Sequence, residues 1–283
     1  GEYRDRVRIY CDCHAGKPIV KASEDYRLDE VNYTPEAYAE NARRIRRLGF
    51  TFLKFDVGLG VAGLVPGGLY DGHLTDAGLR YQVSIVETLR EAVGDGTELA
   101  LDCGQGTVAA AIRFADAVEQ FNLTWLEDLI SYTDVKGFRE VTTAVKTPTL
   151  TGEDIYTREG FRELIEEHAI RIPSPDLATV GGIAETKKVA ELADLHHMPV
   201  APHFAGSPVS MMANIHAAAA ISNLIALEFH AVGVPWWDSL VKGVSKPIIK
   251  DGYADVPDKP GLGIELEEEE VRKHLKDGET FFE

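Results

Sequence analysis

Three short apolar runs, LALDCG (99–104), LTWLED (123–128) and TLTGED (149–154), each close on acidic residues, among them Asp102, Glu127 and Glu153. These acids stand 25 and 26 residues apart (102 to 127 to 153), the length of one strand–helix–strand unit. Parallel strands joined by right-handed crossovers bring their carboxyl ends together on one rim. Any one of the three acids could be a helix cap or a solvated loop residue. Three in register repel one another unless a positive charge lies between them. A hard divalent cation, Mg2+, answers that need, because it takes oxygen ligands and keeps positions open for a substrate.

The same alternation runs along the chain. A first strand is expected at 7–13, ending in a polar loop at His14–Gly16. Thr34 and Pro35 suit the cap and first turn of a helix that stops at Gly49. FTFLKFDVG (50–58) is the second strand, with Lys54 and Asp56 projecting to one side of it. The glycine-rich stretch 57–74 is longer than a strand-to-helix loop needs to be, as lids and binding loops are, and it carries no phosphate-binding pattern. A helix capped by Thr75 runs to Gly94. Strand and helix then alternate at 99–104 and 108–122, 123–128 and 135–146, and 149–154 and 157–169. A sixth strand (170–176) ends in Asp176, a seventh (198–203) in His203, and an eighth (224–231) carries Glu228 and His230.

Eight strands with seven helices predict a parallel barrel rather than an open sheet. Every strand from the second onward ends in an ionisable residue, as expected when all carboxyl ends surround one mouth. Residues 1–231 form that barrel, and 232–283 is a turn-rich segment packed across it. In this segment Glu265 and Glu267–Glu270 read as a solvated face.

A hydrophobic share of 45% over 283 residues is enough for a sizeable core. The formal net charge of −17 argues against nucleic-acid and anionic-membrane partners. No apolar run reaches the roughly 18 residues of a membrane span, and GEYRDRVRIY lacks a signal peptide's apolar core. Three cysteines make no disulfide framework, so Cys11 and Cys13 read as reduced thiols on a barrel strand. A cytoplasmic protein is expected.

Around the rim stand Lys54, Asp56, Asp102, Glu127, Glu153, Asp176, His203 and Glu228. A carboxylate such as Asp176 on one imidazole nitrogen of His203 would fix the tautomer and raise the basicity of the other nitrogen. Lys54, with apolar neighbours, could balance a substrate carboxylate or move a proton. A cation on one side and proton-transfer groups on the flanks suit removal of a proton α to a carboxylate, with the enediolate stabilised by the cation.

The order KxD, then D, E, E at successive strand ends, then SPD, APH and LEFH resembles the mandelate racemase-like branch of the enolase superfamily. The closing DGYADVPDKPGLGIELEEE is also similar to the usual ending of that group. This resemblance covers nearly the whole chain. It implies an α/β fold, a (β/α)7β TIM-like barrel of eight parallel strands, with Mg2+ on Asp102, Glu127 and Glu153. It further implies an Asp176–His203 dyad and Glu228 near the substrate carboxylate.

Three departures qualify it. The family's N-terminal capping domain is absent from this chain, so a cap is expected from a missing segment. The usual KxK is Lys54–Phe55–Asp56, which weakens a two-base racemase. Gly104 stands where galactonate and mannonate dehydratases of the branch carry a histidine.

The resemblance therefore implies a Mg2+-dependent dehydratase that converts a sugar acid, gluconate- or galactonate-like, to a 2-keto-3-deoxy acid. In it the metal and Glu228 hold the carboxylate, Lys54 adds an electrostatic contact, and His203 takes the C2 proton. The departing 3-hydroxyl would take its proton from His203 again, from Asp56, or from a loop group such as Tyr70 or His73. A racemase or epimerase of a 2-hydroxy acid is the neighbouring alternative; a non-catalytic barrel used as a binding module is the distant one. Analogy adds an even-numbered homo-oligomer.

Overall fold

The computed structural model describes residues 1–13, 18–19, 27–28 and 33–281, so the loop expected at His14–Gly16 lies outside the described residues. Its centre is a nine-stranded, mostly parallel sheet. The parallel strands are β1 (Arg6–Cys13), β2 (Phe52–Asp56), β3 (Glu98–Asp102), β4 (Leu126–Glu127), β5 (Thr149–Thr151), β6 (Ile172–Pro173) and β7 (Leu227–Phe229). They lie in the order β6-β5-β4-β3-β2-β1-β7. An antiparallel hairpin, β8 (Ile249–Lys250) and β9 (Tyr253–Asp255), joins the first half of β1.

Helices follow the strands where the sequence places caps. The hydroxyl of Thr34 accepts from Ala37 N, that of Thr75 from Gly78 N, and that of Thr107 from Ala110 N. Each satisfies a backbone donor that the first helical turn leaves open.

Several expected strands are shorter than the pattern predicts: the fourth is Leu126–Glu127, the fifth Thr149–Thr151 and the eighth Leu227–Phe229, and in the sixth and seventh proline is the reason. Residues 198–203 form a single parallel bridge, Val200 to Leu224, instead of a ladder. Pro199 and Pro202 lack the N–H that a ladder needs. Hydrogen bonds still cross this stretch: Ala201 N donates to Pro173 O at 3.2 Å, and Glu228 N to Pro202 O at 3.2 Å. Pro173 and Pro175 likewise limit the sixth strand to two residues, and Asp176 leaves it to cap the helical turn Leu177–Val180.

The glycine-rich stretch is not irregular throughout. It holds a helical turn, Leu59–Ala62, and a small hairpin of Leu69–Tyr70 with His73–Leu74. Leu59 N donates to Gly104 O at 2.9 Å. A Cβ on Gly58 would lie 3.2 Å from the backbone N and O of Gly104. The loops after β2 and β3 therefore touch backbone to backbone.

Apolar side chains divide into two buried clusters. The larger one packs strand residues such as Leu53, Phe55 and Leu101 against helix residues such as Tyr38, Leu89 and Phe114. The smaller one takes a residue from each of the eight strand positions: Tyr10, Phe52, Ala100, Trp125, Leu150, Ile172, Ala201 and Ala226. The rings of Tyr10 and Phe52 both meet Trp125 edge-on, at 5.1 and 4.8 Å between centroids. Strand side chains on one face recur every second residue. Two residues beyond this apolar floor come Asp12, Lys54, Asp102, Glu127, Gly152, Ser174, His203 and Glu228. This register brings Asp12, Lys54, Asp102, Glu127, His203 and Glu228 to the end of the sheet beyond the floor.

Beyond Ala231, the chain forms a 3-10 turn (Trp237–Leu240), a two-stranded pairing of Val241–Lys242 with Glu265–Leu266, and a short helix (Glu268–Lys273). Glu265, Glu268 and Glu269 are exposed. All three cysteines are buried free thiols. Among the described residues no helix is long and apolar enough to cross a membrane.

Candidate active site and metal centre

On one flank, the strand register sets Asp56 beside Asp102 and Asp102 beside Glu127. Glu153 follows Gly152, whose φ of +143° carries the chain away from β5. A Cβ there would lie 2.5 Å from Phe161 Cε1, so the turn that presents Glu153 admits only glycine without rearrangement. Carboxylate oxygens of Glu127, Asp128 and Glu153 come within 4.8 Å of one another. Thr151 donates its hydroxyl proton to Asp128, and Trp125 Nε1 donates to Glu127 Oε2 at 3.1 Å.

These acids crowd one another. Burial pushes the Asp102 carboxyl up to about 8, against the pull of Lys54 and with the help of Asp56, Asp128 and Glu153. Burial also raises Glu127, with Lys54 opposing, Asp128, with the Thr151 hydrogen bond opposing, and Glu153, with His203 opposing. A cluster of acceptor-only oxygens that would otherwise hold protons fits a hard divalent cation.

Lys54 lies at the centre and is 2% exposed. Its ammonium is 3.0 Å from Glu127 Oε1, 2.8 Å from Glu228 Oε1 and 3.9 Å from Asp12 Oδ1. Burial alone would lower its pKa; Glu127, then Glu228 and Asp12, outweigh that and hold it well above the usual lysine value.

On the other flank, His203 Nδ1 meets Asp176 Oδ2 at 2.9 Å. The second oxygen of Asp176 accepts from Thr179 N at 2.8 Å, so one carboxylate both caps a helical turn and orients the imidazole. Despite burial, those two bonds hold the Asp176 carboxyl below its usual range. His203 Nε2 lies 3.3 Å from Glu153 and 3.7 Å from Glu228. Burial opposes the charged ring, but Asp176, Glu228 and Glu153 push it up to about 9. Glu228 is fully buried and accepts from Phe204 N at 3.1 Å.

Lys54, Glu127, Glu153, Asp176, His203 and Glu228 are therefore linked by direct contacts, with Asp102 alongside. Asp56 lines an adjoining cavity of about 410 Å3 with Tyr33, Gly58, Gly60 and Asp102. Tyr70 is 79% exposed and His73 is also exposed, facing each other across their hairpin. Among the described residues neither forms a hydrogen bond or ion pair with a rim side chain.

Two further side chains, Asp128 and Asp12, join the site without having been singled out from the sequence, and His230, placed at the end of the eighth strand but given no role there, joins them. Asp128 follows Glu127 in the LED run. Asp12 shares the face of Tyr10, a signal masked by the cysteines on either side. His230 lies two residues past Glu228, and its Nε2 is 2.8 Å from Asp12 Oδ2.

A family model described as enolase C-terminal domain-like matches residues 37–271. The D-xylonate dehydratase of Haloferax volcanii is 38% identical over 289 residues, a match that covers 100% of this chain and 65% of that protein. The D-gluconate dehydratase of Thermoproteus tenax is 25% identical, over 97% of this chain and 50% of its own length. The crystal structure of a mandelate racemase/muconate lactonizing enzyme-like protein from Rubrobacter xylanophilus superposes with a TM-score of 0.90 at 37% identity, covering 100% of this chain and 72% of that one. The chain thus spans less than two thirds of the length of these two curated relatives.

Proposed function

The chain belongs to the enolase C-terminal domain-like family, and from that premise we propose that it is the catalytic portion of a Mg2+-dependent sugar-acid dehydratase. The observation that carries this reading is His203, held at Nδ1 by Asp176 and presenting Nε2 3.3 Å from the Glu153 carboxylate. A proton-transfer group and a cluster of acidic ligands then border one space. The named relatives, dehydratases of D-xylonate and D-gluconate, point to a five- or six-carbon aldonic acid as the substrate class.

Asp102, Glu127 and Glu153 would hold the cation, with Asp128 beside them. When bound, it would supply positive charge for the substrate carboxylate and for the negative charge that develops as the α-proton leaves. Lys54 and Glu228 form the buried wall at that carboxylate, with Lys54 contributing the positive charge. His203 Nε2 takes the proton from C2, and Asp176 keeps the ring in the tautomer and orientation that allow it. A racemase would need a second base on the opposite face. Asp56 stands on that flank, and Lys54 is already engaged with Glu127 and Glu228.

The parallel sheet reads as a (β/α)7β barrel over 1–231, with 232–283 packed across it. Support comes from the eight-residue floor and the hydrogen bonds that cross 200–202. A capping domain from outside these residues and assembly into a homo-oligomer complete the proposal; exclusion of water by the cap would strengthen every electrostatic contact at the rim.

The test is a sugar-acid library incubated with Mg2+ and assayed for 2-keto-3-deoxy products. At least one pentonic or hexonic acid should be dehydrated. Inversion at C2 without loss of water would make the protein a racemase instead. Failure to bind either Mg2+ or any acid would leave a binding module with another ligand.

A further inference from the structure

Dehydration requires a proton for the departing hydroxyl as well as a base for C2. Of the groups named for that task, Tyr70 and His73 are exposed on their hairpin, with no contact to the rim among the described residues. Gly104 offers no side chain. A second histidine–carboxylate pair does lie in the site. His230 Nε2 is 2.8 Å from Asp12 Oδ2, and the Asp12 side chain is only 3% exposed. His230 is 28% exposed, which leaves its ring a route to solvent protons.

The two histidine pairs flank Glu228. His203 Nε2 is 3.7 Å from one of its oxygens and His230 Nε2 is 3.8 Å from the other. The ring centroids are 6.1 Å apart. The hydrogen on C2 and the oxygen on C3 hang from bonded neighbours, and a proton-transfer group must come within roughly 2.6–3.2 Å of its atom. Rings at this separation can serve both atoms of one bound substrate. His203, Glu228 and His230 also converge closely enough to hold a cation. Lys54 already provides that positive charge, with its ammonium 2.8 Å from Glu228 Oε1.

Building on the dehydratase reading, we infer that His230, held by Asp12, is the general acid that protonates the departing 3-hydroxyl. His203 Nε2 takes the C2 proton, and the C–H electron pair moves into the C1–C2 bond. That pair then forms the C2–C3 double bond as the C3–O bond breaks. Asp12 accepts an N–H of the His230 imidazolium and orients the ring; a ring proton of His230 goes to the leaving oxygen, which departs as water. Transfer of the enol proton to C3 gives the 2-keto-3-deoxy acid; His203 releases the C2 proton to solvent, and His230 regains a proton from solvent. Asp12 is a positioning residue in this scheme.

The experiment uses the Mg2+-loaded protein and a sugar acid that the wild type dehydrates, with two readouts: deuterium exchange at C2 and formation of the keto acid. His230→Gln and His230→Asn should keep exchange within several-fold of wild type while product formation falls about 10²–10⁴-fold, the usual share of a general acid. A 3-deoxy-3-halo analogue, whose leaving group needs no proton, should be eliminated by both variants at close to the wild-type rate. Asp12→Asn should show a smaller loss with the same rescue, which a merely structural role would not produce. Circular dichroism and urea midpoints establish that the variants are folded.

Wild-type product formation by both His230 variants would overturn the assignment. So would joint loss of exchange and product in folded protein, lack of rescue by the halo analogue, or an exchange-only pattern in Asp56→Asn instead. A wild type that neither exchanges nor dehydrates any acid would overturn the dehydratase reading itself, and this assignment with it.

Discussion

The ammonium of Lys54 lies 2.8 Å from Glu228 Oε1, and neither side chain has more than 2% of its surface exposed. Removing one partner of a buried ion pair leaves the other charge uncompensated, which typically costs about 3–5 kcal/mol. Lys54→Met should therefore lower the urea midpoint markedly as well as weaken substrate binding. The double variant Lys54→Met/Glu228→Gln should recover part of that loss, because the stranded carboxylate is gone. Additive losses in the two single variants would show that the pair is not coupled.

Glu153→Gln should behave in the opposite way. Its carboxyl is raised by burial, against the pull of His203 and Lys54, so its replacement by a neutral amide removes the cost of desolvating a charge. Calorimetric titration should show Mg2+ affinity and turnover lost, while the unfolding midpoint in EDTA is equal to or above that of wild type. A large drop in that midpoint would mean that Glu153 serves the fold rather than the cation.

In metal-free protein the Asp102 carboxyl, pushed up to about 8, makes stability depend on pH in a definite direction. The native state keeps this proton while the unfolded chain, with an ordinary carboxyl near 4, has released it. The contribution is fully present below about pH 4 and is lost as pH rises through about 8. Unfolding in EDTA should accordingly show this component of stability falling between those values and then levelling off. Added Mg2+ should raise the melting temperature more at pH 8 than at pH 5.

His203→Asn preserves a polar group near Asp176 but removes the proposed base. Turnover and C2 deuterium exchange should fall together, by about 10²–10⁴-fold each. Exchange that survives at the wild-type rate would transfer the first proton step to another side chain.

Gly152→Ala tests the turn that presents Glu153. The added methyl would meet Phe161 Cε1 at 2.5 Å at a φ that side chains rarely adopt. Backbone strain of this kind costs about 1–3 kcal/mol. Mg2+ affinity should fall in step with stability, since displacement of the turn moves Glu153, a proposed ligand.

Much of this arrangement is legible in the residues. Asp102, Glu127 and Glu228 stand in or at the end of strands because each follows an apolar run, and runs of that kind can be counted; Asp176 and His203 follow the same pattern just beyond their shortened strands. Thr34 and Thr75 cap the helices they precede for equally local reasons. What escaped was non-local. The prolines around Val200 and Ile172 shorten two strands that periodicity alone extends. His73 and Tyr70 looked available because a glycine-rich stretch resembles a lid, yet the chain turns them outward on a hairpin. Asp12 and His230 become a pair only when β1 and β7 are neighbours, and that adjacency of the first and last parallel strands is a property of the sheet, not of either segment.

The apolar floor has a consequence for how such a protein can change over time. Lys54, Asp102, Glu127, His203 and Glu228 each sit two positions past a floor residue, so one inserted or deleted residue within their strands would turn them toward the helices and bring an apolar neighbour to the rim. Substitution at the rim carries no such penalty, because the floor beneath it stays intact. New chemistry can therefore arise by exchanging single letters at the strand ends, while gains and losses of length are confined to the connecting loops.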